Sequence, residues 1–141
     1  MSFYVVYYGN EKREKTMNSE NKEKYQEGLD NLIEGIKQNY LNWTNPYHES
    51  VEPTMKEIKL NSVKRFNDGM KITLGQKYDK VIQGSSVWGF VAKQDGMLKG
   101  IPYFVGDVFK AAGWAAPAKH VRGSIFNTEQ NWFQWTGPNY L

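Results

Sequence analysis

The residues best equipped for chemistry gather in one stretch, Gly106 to Asn127. It holds Lys110, Trp114, Lys119, His120 and Arg122 with Gly113 and Gly123, and no acid falls between Asp107 and Glu129. An arginine presents a planar fork to a phosphate or a base edge, a lysine a mobile point charge, and a tryptophan a stacking platform. Glycines let the backbone come close to a partner and free amides for an anion. Lys110, Trp114, Lys119, His120, Arg122 and Gly123 therefore form the candidate site, with a phosphorylated ligand as the expected partner. Plainer readings stand beside this one. Trp114 serves equally well as a core plug, the run Ala115–Ala118 as packing against a helix, and Arg122 as a bridge to Asp107. A lone histidine such as His120 is more often a hydrogen-bonded structural residue.

Catalytic signatures are missing from the sequence. There is no G-x-x-x-x-G-K-[ST] loop, no G-x-G-x-x-G and no H-E-x-x-H. Asp68, Asp79, Asp95 and Asp107 have no metal-loop spacing, and Ser85-Ser86 lack a G-x-S-x-G context. Asp107 and His120 would suit acid–base work, but the sequence does not bring them together. With no cysteine there is no disulfide framework, thiolate zinc site or cysteine nucleophile, and His48 and His120 are too few for a multi-histidine metal site. The expectation is a binding protein without cofactor or metal.

The elements that must position these residues come next. The chain has 141 residues, 15% of them aromatic, enough for one modest domain whose core rests on large rings. Phe3 to Tyr8 is β-branched and aromatic and ends at Gly9-Asn10, so it predicts a strand, and Glu11 to Lys15 a solvated loop. From Ser19 to about Trp43, Tyr25, Leu29, Leu32, Ile33, Ile36 and Tyr40 recur at helical spacing, with Ser19 as cap and Glu20 and Glu23 at the positive end of the dipole. Asn45-Pro46 and Glu52-Pro53 bracket a loop, the joint between an N-terminal unit of residues 1–53 and a β-rich core of residues 54–141. Beyond it, Met55–Leu60, Met70–Leu74, Lys77–Ile82, Val87–Ala92, Ile101–Val105 and Val108–Lys110 read as short strands, with Gln83-Gly84-Ser85-Ser86 closing a hairpin. The dense Trp132, Phe133, Trp135 and Tyr140 tail reads as a final strand closing the sheet. The fold class is thus α+β: a small twisted antiparallel sheet with one long amphipathic N-terminal helix.

Charge divides along the chain. Residues 1–60 hold eight Lys/Arg against ten Asp/Glu, and residues 61–141 hold ten against five, so the net +3 comes from the second part. A basic, aromatic half fits a partner that carries phosphate. No apolar run approaches the roughly 18 residues of a membrane span, and the start lacks the pattern of a signal peptide. The expected setting is intracellular, with no membrane contact.

The order of motifs also resembles a known group. Lys77-Tyr78-Asp79-Lys80-Val81-Ile82, Ser86-Val87-Trp88-Gly89-Phe90-Val91 and Gly106-Asp107-Val108-Phe109-Lys110 lead into Gly113-Trp114 and Pro117-Ala118-Lys119-His120-Val121-Arg122-Gly123, and the chain closes on Trp135-Thr136-Gly137-Pro138-Asn139-Tyr140-Leu141. This is similar to a family of small uncharacterised proteins of tailed bacteriophages with a G-D-x-x-K…W…P-A-K-x-x-R-G segment. The resemblance covers roughly residues 75–141, which leaves the helix as an addition. It implies viral origin, a host-cytoplasmic or virion location and a small β-rich domain, and it transfers no catalytic residue. The leading functional expectation is a viral sponge that sequesters a phosphorylated signal of host immunity, such as a cyclic nucleotide. The alternatives are a phage accessory protein binding single-stranded nucleic acid, and a structural or virion-associated interaction protein. The helix either packs across its own sheet or serves in dimerisation, and a homo-oligomer, most simply a C2 dimer, is the expected assembly.

Overall fold

The computed structural model describes Val5–Val6, residues 19–129 and residues 131–139. Among the described residues two helices and ten strands follow in chain order: β1 (Val5–Val6), α1 (Ser19–Thr44), α2 (Pro53–Asp68), β2 (Met70–Thr73), β3 (Tyr78–Gln83), β4 (Ser86–Ala92), β5 (Gly96–Leu98), β6 (Ile101–Tyr103), β7 (Asp107–Ala111), β8 (Pro117–Ser124), β9 (Phe133–Gln134) and β10 (Gly137–Pro138). A 3-10 turn, Ile125–Asn127, follows β8. The main sheet runs β1-β2-β3-β4-β7-β8; β1 is parallel to β2 and every other neighbouring pair is antiparallel. The fold is α+β, with the long helix where the apolar spacing put it. The expected strand at residues 3–8 is represented by Val5–Val6, while the run Glu11–Lys15 and Tyr140 lie outside the described residues.

The stripe on α1 is consumed by packing. Tyr25, Leu29, Leu32, Ile33 and Ile36 are buried in one cluster with Phe66 of α2, Met70 and Ile72 of β2, Val81 of β3, Trp88 and Val91 of β4, Val108 of β7 and Ile125. Residues on both sides of position 53 therefore build a common interior. Burying each large side chain of this kind stabilises by about 1.5–3 kcal/mol, which is why an amphipathic helix this long settles on a sheet face. The opposite sheet face carries a smaller cluster of Phe90, Ala92, Tyr103 and Phe109, flanked by Tyr78, Val87, Leu98, Ala111 and Val121. The β5–β6 hairpin supplies Leu98 and Tyr103 to it.

Alternation along each strand sorts its side chains between these faces. The two-residue loop at Gly84-Ser85 has Gly84 at φ 62, the positive dihedral required at the first position of a type II′ turn. One irregularity matters within the β3–β4 pair. Val81 pairs with Gly89 but Ile82 pairs with Val87, so Trp88 is an extra, bulged residue. A bulge re-aims a side chain, and here it turns Trp88 into the helix-side core. Its indole N–H donates to the Gln134 carbonyl at 2.9 Å, fastening the C-terminal segment.

Two expectations are corrected. Met55–Leu60 belongs to a helix, not a strand. Pro53 fits the first helical position, where its missing N–H costs nothing, and the burial that decides the period comes later, at Val63 and Phe66. The weak alternation in 55–60 falls on the exposed first turns of that helix. The aromatic tail does not close the main sheet either. β9 and β10 pair only with each other, Gly137 to Gln134 and Pro138 to Phe133. Proline has no N–H to extend a ladder, so the tail packs by its rings: Trp132, Phe133 and Trp135 lie against the helix-side cluster.

A buried ion pair joins the layers. Asp79 of β3, 1% exposed, lies 3.3 Å from the Lys93 ammonium, and accepts from the Tyr25 hydroxyl of α1 at 2.9 Å and the Gly75 amide at 3.3 Å. Lys93 also donates to the Gly75 carbonyl at 3.2 Å. Burial raises the Asp79 carboxyl above the ordinary carboxylate value, while Lys93, Tyr25 and the Gly75 amide pull the other way. Asp79→Ala should destabilise the protein by about 3–5 kcal/mol, because Lys93 is left charged and buried without its partner. Tyr25→Phe should cost about 1 kcal/mol. The folded state holds the Asp79 proton to higher pH than the unfolded chain. Its contribution is therefore complete below the unfolded value of about 3.9 and declines as pH rises through the folded value. Denaturant melts across the acidic range should show the parent chain losing stability relative to Asp79→Asn as pH rises; the opposite slope would refute the raised carboxyl.

Candidate functional site

The β7–β8 ribbon carries all six candidate residues, and its register explains where each one points. Asp107 pairs with Ser124, Val108 with Gly123, Phe109 with Val121 and Ala111 with Pro117. Arg122 is thus an extra residue between two paired positions, and β8 holds further unpaired residues between Val121 and Pro117. Such bulges increase local twist and coil the ribbon. Its tip is closed by the amides of Ala112 and Gly113, which both donate to the Ala116 carbonyl at 2.9 and 3.3 Å.

Trp114 sits in this tip and is 57% exposed. The Lys80 ammonium of β3 lies 4.5 Å from its ring centroid and 5.9 Å from that of Phe90. In the sheet β3 is separated from β7 by β4, so the curled tip reaches across β4 to lay its indole beside Lys80. A cation at this distance is attracted by the quadrupole of the ring and orients it. Lys119 and His120 are exposed on β8. Lys119 stands two residues before Val121, whose side chain joins the Phe90–Phe109 cluster, in the stretch where β8 carries extra residues against β7. On β2, Lys71 lies between the core residues Met70 and Ile72 and opposite Ile82, which makes it an exposed member of the face that carries Lys80.

The remaining three candidates work inward. Lys110 Nζ donates to the Pro138 carbonyl at 2.7 Å, and Arg122 Nη1 to the Asn139 carbonyl at 3.1 Å. These cations hold the C-terminal segment against the ribbon. Gly123 is covered by Trp132: a Cβ there would collide with the indole ring. The glycine lets a tryptophan, rather than a ligand, come close. The Trp132 indole N–H donates to the Asn127 carbonyl at 2.9 Å and completes the cover. The structure thus brings Trp114 to Lys80, leaves Lys119 and His120 exposed on β8, and commits Lys110, Arg122 and Gly123 to the tail.

Neither acid–base idea assembles. Asp107 accepts from the Phe104 amide at 2.8 Å instead of meeting Arg122. It stands opposite Ser124, and His120 lies further along β8, beyond the Arg122 bulge. Burial raises the Asp107 carboxyl, the Phe104 amide opposes the shift and the charge of Asp95 adds to it. Burial, and then a hydrogen bond with Tyr103, push the Tyr78 hydroxyl above the ordinary phenol range. Among the described residues no group of three or more His, Cys, Asp or Glu is placed to hold a metal ion. A cleft of about 530 Å³ opens between the start of α1 and the exposed rings of Phe104 and Phe126, away from all six candidates.

Lys80 and Lys71 escaped the sequence reading. Their only signal was alternation: Lys80 follows the buried Asp79, and Lys71 separates two core residues. Which ring they would meet depended on the curl of a hairpin more than thirty residues away.

Fold and face together define a small α+β protein with a ring-and-lysine surface on the side of the sheet opposite its helices. The chain belongs to a family of unknown function, DUF7717, whose model matches residues 5–141. That span includes α1, so the long helix is part of the family's shared unit and not an addition to it. No curated protein and no solved structure matches the chain.

The tail contacts make a stability prediction. Lys110→Met and Arg122→Met should each lower the unfolding free energy by about 1.5–3 kcal/mol, the range for hydrogen bonds to charged groups. Chemical denaturation checks it, and unchanged midpoints would show that the clamp contributes nothing.

Proposed function

We propose that this protein binds a phosphorylated ligand, without transforming it, on the sheet face where Lys80 meets Trp114. The observation that supports this best is the pairing itself: a ring more than half exposed, with an ammonium 4.5 Å from its centroid. A nucleobase stacked on the free part of the indole would set its phosphate within reach of lysines on the same face. Repulsion from acids is slight there. Asp79 points to the other side of β3 and is neutralised by Lys93, and Asp107 lies at the far end of β7. Lys119 and His120 extend the positive edge. In this reading the ligand is held and released intact. A nucleotide signal of host immunity, held in the host cytoplasm, is one ligand of this class, and a nucleic-acid strand is another.

A protein-contact role is a second reading, favoured by Trp43, Tyr47, Met55 and Ile58, which are 47–67% exposed around the α1–α2 junction. Two such rings alone offer roughly 200–300 Å² of apolar surface, approaching the largest patch of a typical monomer. Ile58→Glu should then lower self-association in sedimentation runs across concentration.

The binding reading is tested by thermal shift and calorimetry with cyclic dinucleotides, mononucleotides and single-stranded oligonucleotides. At least one probe should raise the melting temperature and be recovered intact after heating. Trp114→Ala should weaken that probe by about 1–3 kcal/mol, the value of a stacked base. Because the ring is exposed, the unliganded melting temperature should change little. Altered product in the recovered fraction would replace binding by catalysis, and no shift with any probe would defeat the proposal.

A further inference from the structure

We infer that the ligand of this face is a single-stranded nucleic acid, tracked across the sheet from β8 through the Trp114–Lys80 pair to β2. The inference rests on the binding reading above and adds the class of the ligand and its path.

The spread of the charges points to a polymer. Lys119, Lys80 and Lys71 lie on β8, β3 and β2, and the sheet order puts β4 and β7 between β3 and β8. With strands roughly 4.8 Å apart, β2 and β8 themselves are separated by about 19 Å across the sheet. A compact nucleotide stacked on Trp114 reaches only one of the lysines at a time. Successive phosphates of one strand can meet all three, which is how a positive surface follows a backbone. Lys71 and Lys119 are exposed and make no ion pair among the described residues, so a phosphate displaces no internal partner.

The aromatic group points to unpaired bases. Trp114 offers a π-face at the centre of this path, and a base can lie on it only when it is out of a duplex stack. Among the described residues the ribbon's own fork is not offered to the path, because the Arg122 guanidinium turns to the Asn139 carbonyl. Sequence preference should accordingly be weak. The Trp114 ring is more than half exposed, as a surface site requires, while clefts of about 530 and 320 Å³ open elsewhere, beside α1.

The test is fluorescence anisotropy on the full chain with labelled thymidylates of about one, three, six and twelve nucleotides, spanning the usual site size of such folds. Affinity should rise at least about tenfold from the mononucleotide to the hexamer and level off beyond it. Three neutralised phosphates predict a slope of log K against log salt of about −2 between about 50 and 200 mM. Lys71→Glu and Lys119→Glu should each weaken the hexamer about tenfold and flatten the slope, a larger loss than either causes for the mononucleotide, with the melting temperature unchanged. A mononucleotide or cyclic dinucleotide that binds as tightly as the hexamer overturns the inference and leaves the binding reading standing. So does a duplex that binds as well as the single strand. Failure of every probe to bind overturns both.

Discussion

The contact on which the architecture turns is the buried carboxylate of Asp79. It stands where the helix layer meets the sheet, and three partners from separate parts of the chain converge on it: the Tyr25 hydroxyl, the Lys93 ammonium and the Gly75 amide. A lone charge at 1% exposure would be untenable, so each partner is fixed in place by the need to satisfy it. The network sets the rotation of α1 through Tyr25 and pins the end of β4 to the start of β3 through Lys93. Register follows. With Asp79 turned toward the helices, Lys80 must turn away from them, onto the face where Trp114 lies.

Bulges do the rest of the positioning. One extra residue in β4 sends Trp88 inward, where its indole N–H holds the C-terminal segment. An extra residue in β8 frees Arg122 from the ladder and lets it reach the same segment. The tail is therefore gripped from two strands, with Lys110 adding a third point. The unpaired residues of β8 also coil the hairpin whose tip brings Trp114 across β4. Half of the basic segment is thus structural, and the other half faces solvent.

The sequence was most legible where a single period ran without interruption. Six residues at helical spacing located α1, and the turn residues at Gly84-Ser85 located the β3–β4 hairpin. It was least legible where the decisive burial lay downstream, as for Met55–Leu60, whose helix is anchored by Val63 and Phe66. The tail misled for a related reason. Aromatic density correctly indicated burial, but Gly137-Pro138 denied it a place in the ladder. Among the site residues, chemical type alone selected Lys110 and Arg122 as ligand groups, and only their carbonyl partners show them clamping the tail.

By itself the sequence determined the α+β class, the buried stripe of α1, the basic character of the second half and the presence of a lysine- and tryptophan-bearing ribbon. These depend on residue type and local period, which neighbours a few positions away are enough to express. The tertiary structure alone decided which cations face outward, which hold the tail, and that Lys80 and Lys71 join Trp114 on one surface. Those outcomes depend on strand order, on single-residue bulges and on a hairpin curling over its neighbour. Each couples residues tens of positions apart, so none leaves a pattern in the local sequence.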